Sequence, residues 1–160
     1  MNELILFTDG SVNTLSKVGY GAYLALTEPE HSLEELIKQV NVKRFVQTSS
    51  TKLELQTLLW ALNEIQTAGR KLIVYTDSQN IIGLPARRER LEQNDYRSKK
   101  NIRLGNYQLY QEFYLLTEQL DCDFIKVRGH QATKHKDDLD RLFTLVDKAS
   151  RKALRDDDFS

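Results

Sequence analysis

The sequence predicts an α/β fold in which a mixed five-stranded sheet carries helices on both faces. Five short apolar, β-rich runs are bounded by turn signals, as strands are. After the third run, the apolar residues change to helical spacing, and a further strand-like run follows. A strand, a helix and a strand in this order form a parallel pair with a right-handed connection. The sheet is therefore expected to combine antiparallel and parallel neighbours.

The composition is that of an ordinary globular protein. The chain has 160 residues, of which 40% are hydrophobic and 29% charged, so we expect one domain spanning residues 1–160. The formal net charge is zero, and any binding of nucleic acid would have to use a local patch. Cys122 is the one cysteine, which excludes an internal disulfide. Neither a signal peptide nor an apolar run of membrane-spanning length is evident, so we expect a cytoplasmic monomer with no membrane partner.

The first three strands are predicted at residues 3–8, 19–26 and 40–46. Their runs are rich in β-branched and aromatic residues. The close spacing of the first two suggests an antiparallel hairpin with a longer loop, made by residues 10–17. Residues 32–39 are predicted to form a short helical turn. Three strands in succession suggest an antiparallel meander.

A long helix and a fourth strand come next. From Thr51 onward the apolar residues have helical spacing, and Gly69 is expected to end the helix. Residues 72–76 are the most strand-like run of the chain. The first and fourth strands both end in Thr, Asp and a small residue. If they pair in parallel, Asp9 and Asp77 lie side by side at the carboxyl edge, where open α/β sheets bind ligands.

The second half of the chain begins with residues 79–103, which differ in composition from the rest and include a basic stretch at residues 87–103. Leu84-Pro85 is expected to interrupt a short helix there. Residues 106–120 have the pattern of an aromatic-rich amphipathic helix, and residues 122–127 that of the fifth strand. A last helix is predicted over residues 142–154.

The acidic residues allow two interpretations when each is taken alone. Asp9 could begin a turn or belong to a site. Glu54 lies on the helix face that meets the sheet, yet Thr51 and Glu54 also fit a capping box. Asp147 could be one more solvated acid. If these acids converge with Asp77, however, they cannot all stay ionised without counter-charge. Divalent cations with oxygen ligands supply it, and two ions roughly 4 Å apart can hydrolyse a phosphodiester.

Five motifs that cover nearly the whole chain carry a family resemblance. They are, in order, Thr8-Asp9-Gly10-Ser11, Thr51-Lys52-Leu53-Glu54-Leu55, Tyr75-Thr76-Asp77-Ser78-Gln79, Val127-Arg128-Gly129-His130 and Val146-Asp147-Lys148. Each is weak alone, but the ordered set resembles the type 1 ribonuclease H family. The resemblance implies a ribonuclease H-like fold, with strands 1–3 antiparallel and strands 1, 4 and 5 parallel. It also implies endonucleolytic cleavage of the RNA strand of an RNA–DNA hybrid.

The same resemblance implies roles for individual residues. It assigns two Mg²⁺ ions, or Mn²⁺ in their place, to Asp9, Glu54, Asp77 and Asp147. It gives His130 a part in proton transfer or product departure, although His130 taken alone could as easily be a turn residue. The residues expected to contact the hybrid are Gly10, Ser11, Ser50, Thr51, Gln79, Arg97, Lys99 and Lys100.

Three departures from the family pattern bear on the site. Residues 12–18 replace the glycine- and proline-rich turn that brings backbone close to the RNA. Ser50 and Thr51 replace the asparagines that usually precede the helix glutamate. The span from His130 to Asp147 is longer than usual, so Asp140 competes for the place of the fourth ligand. We favour Asp147 because the residues after it match the family's last helix.

The basic stretch matches the position of the family's basic protrusion, which grips the DNA strand. Its cations are Arg87, Arg88, Arg90, Arg97, Lys99, Lys100 and Arg103. A charged, solvated helix is the alternative. The basic stretch includes Tyr96 and is expected to lie beside the edge of the sheet that carries the proposed active site. Both features favour the binding interpretation.

The sequence thus predicts Mg²⁺-dependent hydrolysis of RNA in hybrids, with recognition of A-form shape and 2′-hydroxyls. One rival is another nuclease on the same fold, such as a resolvase or a carboxylate exonuclease. The exonuclease pattern would want an acid two residues after Asp9, where Ser11 stands. A rival of another class is a non-catalytic nucleic-acid-binding module, against which the intact acids argue.

Overall fold

The structure, a computed structural model, describes residues 3–27, 32–127 and 138–158. The helices and strands of these residues are, in chain order, β1 (Glu3–Asn13), β2 (Val18–Leu26), α1 (Leu33–Gln39), β3 (Asn41–Phe45), α2 (Ser50–Glu64), β4 (Lys71–Thr76), α3 (Gln79–Gln93), α4 (Tyr107–Glu118), β5 (Asp121–Lys126) and α5 (Asp138–Asp158). Among the described helices, none has the length and apolar character needed to cross a bilayer.

The five strands form one sheet in the order β3-β2-β1-β4-β5. β2 pairs antiparallel with both β1 and β3, whereas β4 pairs parallel with both β1 and β5. The predicted mixed sheet is therefore confirmed. Phe7 of β1 stands opposite Tyr75 of β4, and Asp9 and Asp77 each follow two residues later. Their common position at the carboxyl edge results directly from this register.

Helices cover both faces of the sheet because side chains alternate along each strand. Leu6 and Val74 point to the face covered by α2, α3 and α4, where the larger apolar cluster lies. Phe7 and Leu24 point to the opposite face, where they pack with residues of α1 and α5 such as Val146. Each face of the sheet therefore has its own buried core. The carboxyl edge, where Asp9 and Asp77 lie, is at the end of these two cores.

β1 continues to Asn13, well beyond the end predicted at residue 8, because its pairing with β2 continues to that residue. The residues of β1 after Asp9 are only half-buried and do not form the apolar run that marks a core strand. α2 lies directly on this hairpin. A Cβ added to Gly10 or Gly19 would come within 2.9 or 2.7 Å of Leu53 Cδ2. The bare backbone thus lets the first turns of α2 approach the end of β1.

The ends of α2 differ from the prediction. Ser49 is the N-cap, and its hydroxyl accepts a hydrogen bond from the Lys52 N–H at 3.3 Å. The capping box between Thr51 and Glu54 is therefore wrong, and Glu54 is left for other contacts. The helix ends at Glu64, while Gly69, with φ of +73°, stands in the turn before β4.

α3 runs without interruption through Pro85, contrary to the prediction. Proline removes one N–H from the helix, but most helical stability comes from the packing of the apolar face. Here Ile81 and Leu84 are fully buried, and the Tyr114 hydroxyl of α4 donates a hydrogen bond to the Leu84 carbonyl at 2.6 Å. These contacts stabilise the helix across the proline position.

α5 begins earlier and ends later than the predicted range 142–154. Asp138 and Asp140 lie in its first turn, where acidic side chains stabilise the positive end of the helix dipole. These acids extend the helix beyond the start predicted at residue 142. Asp140 and Asp147 consequently share one helix.

Candidate active site

The predicted acidic residues come to the carboxyl edge of the sheet from four elements. Asp9 lies in β1 and Asp77 directly after β4, while Glu54 lies in the second turn of α2 and Asp147 in α5. All four side chains are half-buried. The strands bring the first two by pairing, and the helices bring the other two from opposite faces of the sheet.

The four carboxylates are linked in pairs. The side chain of Asp9 hydrogen-bonds with that of Asp147 and also interacts electrostatically with Asp77. The charge of Asp77 acts in turn on Glu54. Electrostatic interactions thus link Glu54 to Asp77 and Asp77 to Asp9, and a hydrogen bond links Asp9 to Asp147. The structure therefore places the four acids that the sequence singled out near one another.

The acidity of Asp9 is strongly perturbed. Burial raises the pKa of Asp9 to about 8, and the negative charge of Asp77 and the hydrogen bond with Asp147 act in the same direction. A hydrogen bond from the Gly10 backbone N–H acts in the opposite direction. A pKa of about 8 favours the protonated form of the Asp9 carboxyl at neutral pH when no cation is bound. A cation bound beside Asp9 would stabilise its ionised form and so lower its pKa.

Glu54 is held in place by Ser78. The Ser78 hydroxyl donates a hydrogen bond to Glu54 Oε2 at 2.6 Å and accepts one from the Ile81 N–H at 3.2 Å, which caps α3. Burial raises the pKa of Glu54, the hydrogen bond from Ser78 opposes that effect, and the charge of Asp77 adds to it. Ser78 is itself only 3% exposed. Ser78 is not among the predicted site residues, although the small residue that follows Asp77 is its signal in the sequence.

Asp147, rather than Asp140, contacts Asp9. The two acids are seven residues apart on α5, which separates them by about 10 Å along the helix axis. Asp147 is further oriented by Arg151, whose Nε lies 2.9 Å from Asp147 Oδ1. The geometry therefore favours Asp147 over Asp140 as the acid of α5 that belongs to the cluster.

The donor chemistry of the cluster suits a hard divalent cation, because every candidate ligand is a carboxylate oxygen. Within residues 3–27, 32–127 and 138–158, no group of three or more histidine, cysteine or acidic side chains is arranged to hold a metal ion as it stands. The carboxylates meet in pairs instead. Since Mg²⁺ takes only a few carboxylates and completes its shell with water and phosphate oxygens, a pairwise arrangement fits such an ion.

The residues predicted to contact substrate beside the acids have different surroundings. Ser50 and Thr51 are exposed on the first turn of α2. Gly10 is half-buried, and the Cα hydrogen that stands in place of a side chain faces Leu53 of α2. The Ser11 hydroxyl lies 3.0 Å from that of Ser150. Ser50 and Thr51 are therefore accessible to a substrate from solvent, whereas Gly10 and Ser11 make contacts within the protein.

Gln79, the first residue of α3, hydrogen-bonds with a lysine at the carboxyl end of β5. Its Oε1 accepts a hydrogen bond from Lys126 Nζ at 2.8 Å. Lys126 is exposed at the end of β5 and stands opposite Thr76 in the strand register. The sequence analysis did not single out Lys126, because one lysine at the end of a strand carries no motif.

The basic stretch is divided between α3 and a small hairpin, residues 97–103, which we call the basic hairpin. A backbone bridge joins Arg97 to Arg103, and the Ser98 N–H donates to the Ile102 carbonyl at 2.8 Å. Lys99 and Lys100 are exposed at its tip. The predicted alternative of a single charged helix is therefore wrong for this part of the stretch.

Several of the other cations in the stretch are engaged within the protein. Arg88 pairs with Glu92 at 2.6 Å and lies over the Tyr114 ring. Arg103 pairs with Asp95 at 2.9 Å and lies over the Tyr107 ring. Among the described residues, Lys99 and Lys100 form no ion pair. These two lysines are therefore the cations of the basic hairpin most open to a phosphate.

His130 lies outside the described residues, together with the rest of the motif that follows Val127. The role suggested for it by the family resemblance stays a prediction.

The family model described as RNase H matches residues 1–149 of the chain. The ribonuclease H of Syntrophomonas wolfei subsp. wolfei is 26% identical over 145 residues, which cover 89% of this chain and 94% of that protein. The ribonuclease H of Neorickettsia sennetsu is 23% identical over 143 residues, with 89% and 91% covered. The match thus extends over almost the full length of these relatives.

Solved structures with the same fold are similar to this chain at lower identity. The solution structure of the PFV RNase H domain superposes with a TM-score of 0.73 at 17% identity and covers 93% of this chain and 92% of that one. LC9-RNase H1, described as a type 1 RNase H with the type 2 active-site motif, gives a TM-score of 0.70 at 16% identity, with 95% and 72% covered. At these identities the likeness establishes the fold.

Proposed function

This chain belongs to the ribonuclease H family of endoribonucleases, and we propose that it cuts the RNA strand of RNA–DNA hybrids with the help of two Mg²⁺ ions. One observation carries the proposal beyond the family. At one edge of the sheet Asp9 hydrogen-bonds with Asp147 and interacts electrostatically with Asp77, and such clustered acids need a positive counter-charge to ionise together. A hard divalent cation supplies that charge, and Mn²⁺ would serve in its place.

The ligands proposed for the ions are Asp9, Glu54, Asp77 and Asp147. When bound, two such ions activate a water and stabilise the leaving oxygen of the phosphodiester. Ser78 orients the Glu54 carboxylate and Arg151 that of Asp147, so each ligand from a helix has its own supporting contact. Such contacts are what hold metal ligands in position in other proteins.

Asp9 must lose its proton before it can act as a ligand. Because its pKa is raised to about 8, we expect the ions to bind in competition with that proton. His130, which follows β5 in sequence, is the proposed partner for proton transfer or product departure.

We assign recognition of the hybrid to residues at the start of α2, at the start of α3 and in the basic hairpin. Ser50 and Thr51, exposed beside Glu54, carry hydroxyls that can both donate to and accept from a ribose 2′-hydroxyl. Gln79 and the tip lysines of the basic hairpin, Lys99 and Lys100, would bind the other strand. Phosphate contacts of this kind add affinity without reading sequence.

We further propose that residues 1–160 form one domain that acts as a monomer in the cytoplasm. The family match over residues 1–149 supports the first of these points.

The experiment is cleavage of an RNA-labelled hybrid, run beside duplex DNA and duplex RNA, with Mg²⁺ and with EDTA. We expect internal cuts in the RNA of the hybrid only, and only with Mg²⁺. Asp77→Asn, which keeps the shape of the side chain and removes its charge, should abolish cutting. Binding of the hybrid without any cutting would indicate a non-catalytic module, and cutting of duplex or branched DNA would indicate another nuclease of this fold.

A further inference from the structure

Two serine hydroxyls connect β1 to α5 beside the acidic cluster. Ser150 is completely buried, and its Oγ donates a hydrogen bond to the Asp147 backbone carbonyl at 3.0 Å. The same Oγ lies 3.0 Å from the Oγ of Ser11. A hydroxyl has a single hydrogen to donate, and a carbonyl can only accept. Ser11 must therefore be the donor to Ser150, which gives a directed chain from Ser11 through Ser150 to the Asp147 carbonyl.

This chain links the two backbones that carry Asp9 and Asp147. Ser11 follows Asp9 by two residues, so both side chains point to the same face of β1. Ser150 follows Asp147 by three residues, about one helical turn. Around Phe7 the contacts between α5 and the sheet are apolar, and the hydrogen bonds from Tyr20 and Arg44 to Asp157 lie seven residues beyond Ser150 along the helix. Apolar contacts have no preferred direction, whereas the hydroxyl chain fixes one position of the helix turn against the strand.

We propose that Ser150 is a positioning residue of the metal site, which acts through Ser11 to set the Asp147 carboxylate relative to Asp9. The inference rests on the proposed function, since it takes these two acids as Mg²⁺ ligands. It also changes the part expected of Ser11. Because its hydrogen is donated to Ser150, Ser11 is free to accept a hydrogen bond from a ligand but not to donate one.

A purely structural role would not require serine at this position. Alanine fits the same space on a helix and has the higher helix propensity, and a serine that bonds back to a carbonyl one turn earlier slightly disfavours a helix. Replacing Ser150 by alanine therefore removes the hydrogen bond with Ser11, which stabilises the fold, and also the lower helix propensity of serine, which opposes it. We expect the variant to fold with nearly the thermal stability of the parent.

The decisive measurement is Mg²⁺ binding to the free protein by titration calorimetry, without any substrate. Ser150→Ala should bind Mg²⁺ about tenfold more weakly, as is typical when a contact that orients a ligand is lost. In cleavage assays, the rate at low Mg²⁺ should fall and recover at high Mg²⁺, with the KM for the hybrid unchanged. A structural defect would instead lower the rate at every Mg²⁺ concentration.

Thr117→Ala on α4 is the matched control. The Thr117 hydroxyl donates to the Phe113 carbonyl at 2.8 Å, so this variant loses the same kind of helix-internal bond far from the acidic edge. Its Mg²⁺ affinity should equal that of the parent.

Ser11 gives an independent arm if Ser150→Ala fails to fold. Ser11→Thr keeps a hydroxyl, and Ser11→Val introduces a side chain of nearly the same shape as threonine but without the hydroxyl. Only the valine variant should therefore lose Mg²⁺ affinity. In the double variant Ser11→Ala/Ser150→Ala, the loss should not exceed that of Ser150→Ala alone, because one chain is broken in both. If Ser11 acts only on substrate, its variants will change the KM for the hybrid and leave Mg²⁺ binding intact.

Parent-like Mg²⁺ affinity in Ser150→Ala and in Ser11→Val would overturn the inference while leaving the proposed function standing. Failure of the parent itself to bind Mg²⁺ would instead remove the proposed function, and the inference with it.

Discussion

Asp9 should make the stability of the protein fall as pH rises when no metal is bound. Its pKa is raised from an ordinary 3.8 to about 8 by burial, by the charge of Asp77 and by the hydrogen bond with Asp147. Between these values the folded protein binds one more proton than the unfolded chain, so the free energy of unfolding decreases with pH. The contribution is fully present below pH 4 and lost above pH 8.

The size of the effect follows from the two pKa values. At 1.36 kcal/mol per pH unit, the full difference corresponds to about 6 kcal/mol, and the part lost between pH 5 and pH 8 to about 4 kcal/mol. Asp9→Asn removes the titrating group and keeps its shape. We therefore expect this variant to have a flatter pH profile and to exceed the parent in stability at pH 8 in the presence of EDTA.

Urea denaturation of the parent and of Asp9→Asn at several pH values, with EDTA and with saturating Mg²⁺, measures the effect. Asp140→Asn, on the same helix as Asp147 but about 10 Å away, is the control and should keep the slope of the parent. Saturating Mg²⁺ should flatten the parent's profile, because the ion stabilises ionised Asp9. Equal slopes in the parent and in Asp9→Asn with EDTA would refute the argument that Asp9 holds a proton in the folded state.

Three further outcomes are expected. Asp147→Asn should reduce cleavage far more than Asp140→Asn, with folding checked by circular dichroism; the reverse result would move the fourth ligand. Ser78→Ala should lower the free energy of unfolding by about 1 kcal/mol through the lost cap of α3, and it should raise the Mg²⁺ concentration needed for cleavage. Replacement of Lys99 and Lys100 by alanine should lower the slope of log affinity against log salt by about 2, and an unchanged slope would show that the tip does not touch phosphate.

The strand pairing at the centre of the site could be predicted because its signals are local. β1 and β4 each end an apolar run with Thr, Asp and a small residue, and the helical pattern between them implies a parallel connection. The adjacency of Asp9 and Asp77 follows from that alone, and the register of Phe7 with Tyr75 confirms it.

Other features could not be predicted because they depend on distant contacts. β1 continues past Asp9 because β2 pairs with it, although the residues involved carry no core pattern. α3 tolerates Pro85 because α4 packs against it and bonds the Leu84 carbonyl. Ser150 looks like one more small polar residue in a charged segment, and its burial against Ser11 depends on a strand at the other end of the chain.

Asp147 reaches the cluster by a different route from the acids on β1, β4 and α2. Those elements are fixed by strand pairing or by close packing of α2 on the glycine backbone of the hairpin. α5 packs on the sheet through apolar contacts, which have no preferred direction, and Tyr20 and Arg44 hold it at Asp157, seven residues beyond Ser150. Metal ligands must be held within about 0.5 Å of their productive geometry. The ion pair with Arg151 restrains the Asp147 side chain, and the hydroxyl chain from Ser11 restrains its backbone. Changes outside the ligand set should therefore weaken metal binding most when they fall on α5.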